Sequence, residues 1–384
     1  MSTRIVIGCM TGTSIDGIDA AAVRLTGRGL GLRVEFLAGA SRPLGPVAET
    51  LRRLARGEAL TAEEIARAAR DFSLEHAEAV RELVAEHAPA FVAVHGQTVF
   101  HAPPLSWQLF NPAPLAAAVG VPVVSDFRSA DIAAGGQGAP ITPLADFLCF
   151  ADAGERRVIV NLGGFANFTA LPRRTAAGAG VSTADAAADV EAIAGGDLCV
   201  CNQLLDRLAR QFLARDFDSG GAVAAAGRPI GPLVAELAAR LTRQAGLGRS
   251  LGSADEPHTW EIEPPAGASA AADVLASATA AIGQVVAERL PACERVLLAG
   301  GGALNAALRA AIARHVAAPV ELTDAYGLPG RYREAAQMAV LGALCADGIA
   351  ITLPRVTGVA RPASVAGCWT GGWGNVAHPI GDPA

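Results

Sequence analysis

The chain has no lysine: every one of its 31 basic residues is arginine. Several mechanisms fall with that absence. A Walker-type loop needs its Lys on the β- and γ-phosphates, a protein-kinase fold needs its strand Lys, and pyridoxal phosphate needs a Schiff-base Lys. If phosphate is handled here, backbone N–H groups, small hydroxyls, Arg and a metal ion must hold it. Cys-x-x-Cys pairs are missing too. The cysteines stand at 9, 149, 199, 201, 293, 345 and 368, seven in all. Cys199 and Cys201 have no His nearby, which is poor spacing for zinc, so reduced and mostly buried thiols are expected. The opening MSTRIVIGCM lacks the basic region, long apolar stretch and cleavage site of a secretory signal. No apolar run approaches the ~20 residues needed to span a bilayer. Positive charge is not in excess: a net charge of −6 gives no field for nucleic acid or an anionic membrane. A cytoplasmic protein with neither partner is the expectation.

Hydrophobic residues make up 51% of the chain and charged residues 18%, the balance of a compact globule. At 384 residues the chain exceeds what one core usually supports, which predicts two domains with a cleft between them. Two Ala/Gly/Pro-rich segments, Arg173 to Asp189 and Glu263 to Ala272, read as surface loops.

Arg4 to Gly8 is a short β-rich run, Met10 to Gly17 a turn-forming stretch, and Ile18 to Leu25 a second strand, with Val34 to Ala38 a third. Val47 to Ala88 turns helical, Pro89 stops it, and Thr61-Ala-Glu-Glu64 is a capping box. Phe91 to Val94 is a strand that ends at His95-Gly96-Gln97-Thr98. Leu115 to Val119 ends a helix, and a strand from Val121 to Ser125 delivers Asp126, Arg128 and Asp131. A break at Gly135 to Pro140 marks the domain boundary. The pattern then restarts: Arg157 to Asn161 is apolar, Gly163-Gly164 turns, and Ala166 to Leu171 continues as strand. Asp197 to Leu213 reads as a loop entering a helix, Val274 to Leu290 as a helix and Arg295 to Ala299 as a buried strand. Gly300-Gly301-Gly302 should open directly into a helix from Leu304 to His315, and a last helix spans Glu334 to Ala346. Two related halves, each opening with a glycine-turned hairpin, can aim both hairpins at one phosphate chain.

Three constellations carry chemistry. In Gly8 to Asp19, small residues let the backbone approach phosphate oxygens, Thr11, Thr13 and Ser14 add hydroxyl donors, and Asp16 can hold Mg²⁺, usually through water. The glycine turns at Gly163-Gly164 and Gly300 to Gly302 are two further candidates for nucleotide contact. Asp126, Asp131, Asp197 and Glu334 are the carboxylates near glycine that could take a proton from a hydroxyl. Composition does not choose among them.

Taken in order, GCMTGTSIDGID, HGQTVFH, VVSDFRSADIAAGGQGAPITP, NLGGFANFT, GGDLCVCNQLLD, LLAGGGALN, REAAQMAVLGA and PRVTG resemble the anhydro-N-acetylmuramic acid kinase family. The resemblance implies an α/β, two-domain actin-like ATPase (sugar kinase) fold with duplicated mixed-sheet domains and an interdomain cleft. It places an N-terminal lobe at 1–138, completed by 335–384, and a C-terminal lobe at 139–334. ATP and Mg²⁺, a small anhydrosugar substrate and a homodimer are implied with it. So is the reaction: water opens 1,6-anhydro-N-acetylmuramic acid and the freed O6 takes the γ-phosphate, giving N-acetylmuramic acid 6-phosphate for peptidoglycan recycling. By position, Gly12, Thr13, Ser14 and Asp16 match the ATP phosphate loop, with Asp16 on the metal. Gly163, Gly164, Gly300, Gly301 and Gly302 are the other nucleotide candidates. His95, Gln97, Asp126 and Arg128 are the sugar-binding candidates. Asp197 falls on the catalytic aspartate and Glu334 on the glutamate beside the sugar, and Asn202 and Asp206 fix the register. Where the family has DTGPGN, this chain has Asp197-Leu-Cys-Val-Cys-Asn202. If the replaced glycines take positive φ, Cys199 and Cys201 cost about 1–2 kcal/mol of strain. The family's PPKSTGRE has no clear counterpart in Gly246 to Glu261. A relative acting on another anhydrosugar, or an inactive nucleotide- or sugar-binding protein, is the alternative.

Overall fold

The computed structural model describes residues 2–12, 14–175, 183–245, 251, 257, 260–263, 271–363 and 366–371. Thr13, part of the Arg173 to Asp189 segment, most of Gly246 to Glu261 and residues 264–270 lie outside them. The strands in chain order are β1 Thr3–Met10, β2 Gly17–Thr26, β3 Arg33–Pro43, β4 Phe91–Val94, β5 Gln97–Ala102, β6 Leu105–Leu109, β7 Val123–Ser125, β8 Arg157–Leu162, β9 Phe165–Leu171, β10 Ala194–Val200, β11 Arg295–Ala299, β12 Val320–Leu322 and β13 Cys368–Thr370.

The chain divides into two units, one of residues 1–153, 174–193 and 327–384, the other of 154–173 and 194–326. The first segment therefore runs past residue 138, because the apolar helix Pro143–Phe150 is tied to the helix Arg333–Ala346 by a buried ion pair.

The sheet of the first unit has the order β13-β7-β4-β1-β2-β3, and that of the second β10-β9-β8-β11-β12. In each, three consecutive strands form an antiparallel meander, and the first of the three then pairs in parallel with later strands: β1 with β4 and β4 with β7, β8 with β11 and β11 with β12. The same five-strand order is thus built twice, the duplicated mixed sheet of the actin-like ATPase fold. Hydrophobic continuity explains which strands sit in the middle. Val6, Ile7, Val92, Ala93, Val94, Val123 and Val124 are buried, as are Val158, Ile159, Val160, Val296, Leu297 and Leu298, since parallel strands covered on both faces need apolar residues throughout.

Helices cover these sheets. Ala62–His87 starts at the expected capping box, with Thr61 Oγ1 accepting from Glu64 N–H and the Glu64 carboxylate accepting from Thr61 N–H. Arg333–Ala346 lies so close to β1 that a Cβ on Gly8 would collide with the Ala335 carbonyl and the Ala339 amide. Gly8→Val should therefore cost about 1–3 kcal/mol or more, because backbone on both sides must move. A urea midpoint equal to that of the wild type would show that the packing is looser than this.

Several local expectations change. Asp197 lies on a strand, β10, which has a bulge between Asp197 and Cys199. Sheet pairing with β9 overrides the glycine-rich look of Gly195-Gly196. The GGG stretch makes a 3-10 turn over Gly301–Leu304, and the following helix starts at Ala306, where the Asn305 side chain accepts from Leu308 N–H at 2.9 Å. A helix spans Thr183–Glu191, overlapping the end of the segment read as loop. The β5–β6 hairpin, with its exposed Phe100, Leu105 and Trp107, has no counterpart in the sequence expectations. Among the described residues no helix is long and apolar enough to cross a membrane.

Candidate active site

In the first unit three parallel strands end side by side, and each releases candidate residues at its carboxyl end, where open α/β sheets place their ligands. β1 runs into Thr11 to Asp16, β4 into His95 to Gln97, and β7 into Asp126 to Arg128. His95 N–H donates to the Cys9 carbonyl at 3.2 Å, which seats the second stretch against the first.

The phosphate-loop candidate is held rather than floppy. Ile15 takes φ 52, a left-handed conformation disfavoured for a β-branched residue. Two interactions hold it there: its side chain is buried in a cluster with Ile18, Leu51, Phe72 and Val99, and its carbonyl accepts from Arg52 Nη2 at 2.6 Å. The strain leaves Ser14 and Asp16 exposed, with Ser14 Oγ donating to Asp16 Oδ1 at 2.8 Å. Among the described residues, a Cβ on Gly12 would meet only the Ser14 hydroxyl. Thr11 is buried, and its hydroxyl has no partner among the described residues. An orphaned hydroxyl next to an open glycine suits an incoming anion. Among the described residues no three His, Cys, Asp or Glu groups form a metal cage. Mg²⁺ rarely uses one; a single carboxylate with substrate phosphates and water is its usual setting, and Asp16 fits that role.

His95 and Arg128 form one object. Arg128 Nε donates to His95 Nε2 at 3.0 Å and Nη1 to the Gly138 carbonyl at 2.6 Å, while His95 Nδ1 lies 2.8 Å from the Gly96 carbonyl. A ring nitrogen that accepts from a guanidinium carries no proton, so His95 is the neutral Nδ1–H tautomer. Burial, and then the Arg128 charge, push its pKa from 6.5 to about 3. Burial also lowers Arg128 to about 10, with Glu334 opposing. Gln97 is buried, and its Oε1, like the Thr11 hydroxyl, has no partner among the described residues. Asp126 takes φ 63 and accepts from Ser129 N–H at 3.1 Å, a side-chain bond to the backbone three residues on that closes the turn around Arg128. Asp131 is structural: it accepts from Thr357 Oγ1 at 2.8 Å and Gly138 N–H at 2.7 Å. Glu334 is half-buried and accepts no hydrogen bond from a described residue. Burial raises its pKa, with Arg333 and Arg128 pulling the other way and Asp146 and Asp19 adding to the rise.

Two neutral buried histidines make this unit acid-sensitive. His76 is lowered to about 4 by burial. Both histidines bind protons more readily when unfolded, so their stability contribution is complete above about pH 6.5 and is lost as pH falls toward 4 and 3, by up to about 1.4 kcal/mol per pH unit each. Urea midpoints at pH 7 and pH 5 should differ, and His76→Phe should narrow the gap, because His76 already packs edge-on to Phe72 and its Nε2 has no partner among the described residues. An unchanged gap would remove His76 from the account.

In the second unit the two glycine turns meet at the carboxyl ends of β8 and β11. A Cβ on Gly300, at φ 80, would lie 2.8 Å from Asn161 Oδ1 and 2.9 Å from the Leu162 carbonyl. One on Gly302 would lie 2.7 Å from Asn202 Oδ1. Asn202 Nδ2 donates to the Leu162 carbonyl at 3.0 Å, and the Cys201 and Asn202 amides donate to the Gly164 and Gly163 carbonyls at 2.9 and 3.1 Å. Of the three glycines at 300–302, Gly301 alone would place a Cβ with no described atom within 4 Å.

Asp197 is in register with Asn167, and Asn167 with Asn161, so three polar side chains share one face of β10, β9 and β8 beside these turns. Asp197 is half-buried and its Oδ2 accepts from Leu251 N–H at 2.7 Å. Sequence reading missed Asn161 and Asn167, whose signal was two asparagines spaced evenly about a glycine turn. None of residues 197–202 has positive φ. Cys199 and Cys201 therefore carry no left-handed strain, and burial raises both thiols, Cys199 to about 12.

A family model described as anhydro-N-acetylmuramic acid kinase matches residues 4–370. The chain belongs to that family. An anhydro-N-acetylmuramic acid kinase of Bordetella pertussis is 36% identical over 384 residues, covering 95% of each chain. One from a Cyanothece species is 36% identical, covering 93% of this chain and 97% of its own, and one from Xanthomonas axonopodis pv. citri is 33% identical, covering 93% of this chain and 96% of its own. Among solved structures, a ROK family glucokinase from Streptomyces griseus in complex with glucose and AMPPNP aligns with 88% of this chain and 98% of its own, at TM-score 0.40 and 18% identity. Membership of the anhydro-N-acetylmuramic acid kinase family makes the chain a kinase, a phosphotransferase with an alcohol group as acceptor.

Proposed function

We propose that this kinase uses ATP and Mg²⁺ to convert 1,6-anhydro-N-acetylmuramic acid and water into N-acetylmuramic acid 6-phosphate. The observation that carries the reading is the convergence of Thr11, Gly12, Ser14, Asp16, His95, Gln97 and Arg128 at three adjacent strand ends. In this reading the first loop takes the phosphates through the amides around Gly12, the Thr11, Thr13 and Ser14 hydroxyls and an Asp16-held Mg²⁺, which offsets phosphate charge. Gln97, Asp126, Arg128 and neutral His95 orient the sugar, and Glu334 hydrogen-bonds it. In the second unit the glycine turns at 163–164 and 300–302 take the nucleotide.

Asp197 accepts the proton of the attacking water as its oxygen bonds to the anomeric carbon. The bond from that carbon to O6 breaks, the O6 electron pair attacks the γ-phosphorus, and the bond from γ-phosphorus to the bridging oxygen breaks as ADP leaves. Asp197 then returns its proton to solvent. No step needs lysine, in keeping with the composition. The reading extends to a cytoplasmic homodimer, whose oligomeric state sedimentation velocity checks.

Purified protein with ATP, Mg²⁺ and the anhydrosugar should yield one ADP per phosphorylated sugar, with ¹⁸O from labelled water at the anomeric hydroxyl. ADP without phosphosugar, or no turnover on this sugar, would overturn the reading.

A further inference from the structure

Glu334 occupies the first turn of the helix Arg333–Ala346, and no side chain caps that end. Its direction must be set by something else. Arg333, one residue earlier, turns inward and grips Asp146 of the helix Pro143–Phe150: Nε and Nη2 reach Oδ1 at 3.0 and 2.7 Å, and Nη2 reaches Oδ2 at 2.6 Å. Gln337 Nε2, one turn on, donates to the same Oδ1 at 2.5 Å. Asp146, Arg333 and Gln337 are all buried, at 0%, 3% and 0% exposure.

Residues four apart lie on one face of a helix, and adjacent residues point about 100° apart. A carboxylate gripped by both Arg333 and Gln337 therefore fixes the rotation of the helix about its own axis. The contact of Gly8 with Ala335 and Ala339 fixes its distance from the sheet. With rotation and depth both set, the Cα–Cβ bond of Glu334 leaves the helix in a fixed direction. Burying two charges is a poor way to stabilise a fold, since well-packed apolar residues do as well or better, so the pair's presence asks for another reason.

We propose that Asp146 and Arg333 are positioning residues for Glu334, clamping the helix so that this carboxylate is presented to the sugar. The inference rests on the kinase reading above. The pair also sets the field at Glu334. The charged groups facing Glu334 are Arg333 beside it, Asp146 from the helix Pro143–Phe150, Asp19 from β2 and Arg128 after β7, and Asp19 is itself paired with Arg331 at 3.4 Å. In the intact clamp Arg333 and Asp146 oppose one another, and each single removal leaves the other unbalanced.

The test is the pH dependence of kcat and KM in four proteins. Glu334→Gln first identifies the limb that belongs to Glu334, by abolishing it. Asp146→Asn leaves Arg333 unbalanced, which favours the carboxylate, so that limb should move to lower pH. Arg333→Gln leaves Asp146 unbalanced and should move it to higher pH. Either single variant should also lose kcat by about a hundredfold, the scale of a 1 Å misplacement, with KM for ATP unchanged. The double variant Asp146→Asn with Arg333→Gln replaces the ion pair by a neutral amide pair; it should return the limb to its original position and restore most of kcat. It also serves if a single variant does not fold. Limbs that move the same way in both singles, or stay put, overturn the inference, as does a double variant with a displaced limb. A wild-type protein without turnover instead overturns the kinase reading, and this inference with it.

Discussion

Asp197→Asn should lower kcat roughly 10²–10⁴-fold, the span set by removing a positioned general base. The amide keeps an oxygen for the Leu251 N–H and the same volume on β10, so the local hydrogen bond and the strand register should survive. What it loses is the capacity to accept a proton. Calorimetry should therefore show ATP and anhydrosugar binding close to wild type while product formation collapses. Asn161 and Asn167, which share the row, have no such capacity at neutral pH, and replacing either by Ala should cost far less. A fully active Asn variant would move the base elsewhere and leave Asp197 as a structural acceptor.

Gly301→Val should raise KM for ATP by about 10–100-fold with little change in stability. The reason is the contrast among three neighbouring glycines. Gly300 needs its left-handed φ and its closeness to Leu162, and Gly302 sits against Asn202, so side chains at either position disturb the second unit itself. A Cβ on Gly301 would meet no described atom within 4 Å, and its φ is not positive, so the protein alone gives no reason for glycine there. A phosphate oxygen or ribose approaching the amide within about 3 Å does give one, because branched methyls would hold it away. Each tenfold in affinity corresponds to about 1.4 kcal/mol, the scale of one lost charged hydrogen bond. Unchanged KM for ATP together with an unchanged melting temperature would remove the GGG turn from the nucleotide site.

Local reading of the chain went far in this protein because strong short-range signals coincide with its elements. Phe91 to Val94 and Arg295 to Ala299 are strands with the expected limits, and the Thr61 capping box starts its helix. It failed at Asp197, where pairing with β9 turned an apparent loop into a strand, and at the GGG turn, where Asn305 delays the helix. Both failures share a cause: glycine permits many conformations, so a partner distant in sequence decides among them.

The absence of lysine, the ordered motifs and the carboxylates were determined by sequence alone, and with them the family and the class of phosphate chemistry. Three things were decided only by tertiary structure. His95 and Arg128, 33 residues apart, became one hydrogen-bonded pair. Asp131 became a brace and not a candidate base, through Thr357. Asp146 and Arg333, 187 residues apart, became a clamp beneath Glu334. Each of these depends on burial and on a partner brought in by the sheet order, and a carboxylate or imidazole has no fixed role until desolvation and its hydrogen-bond partner are set.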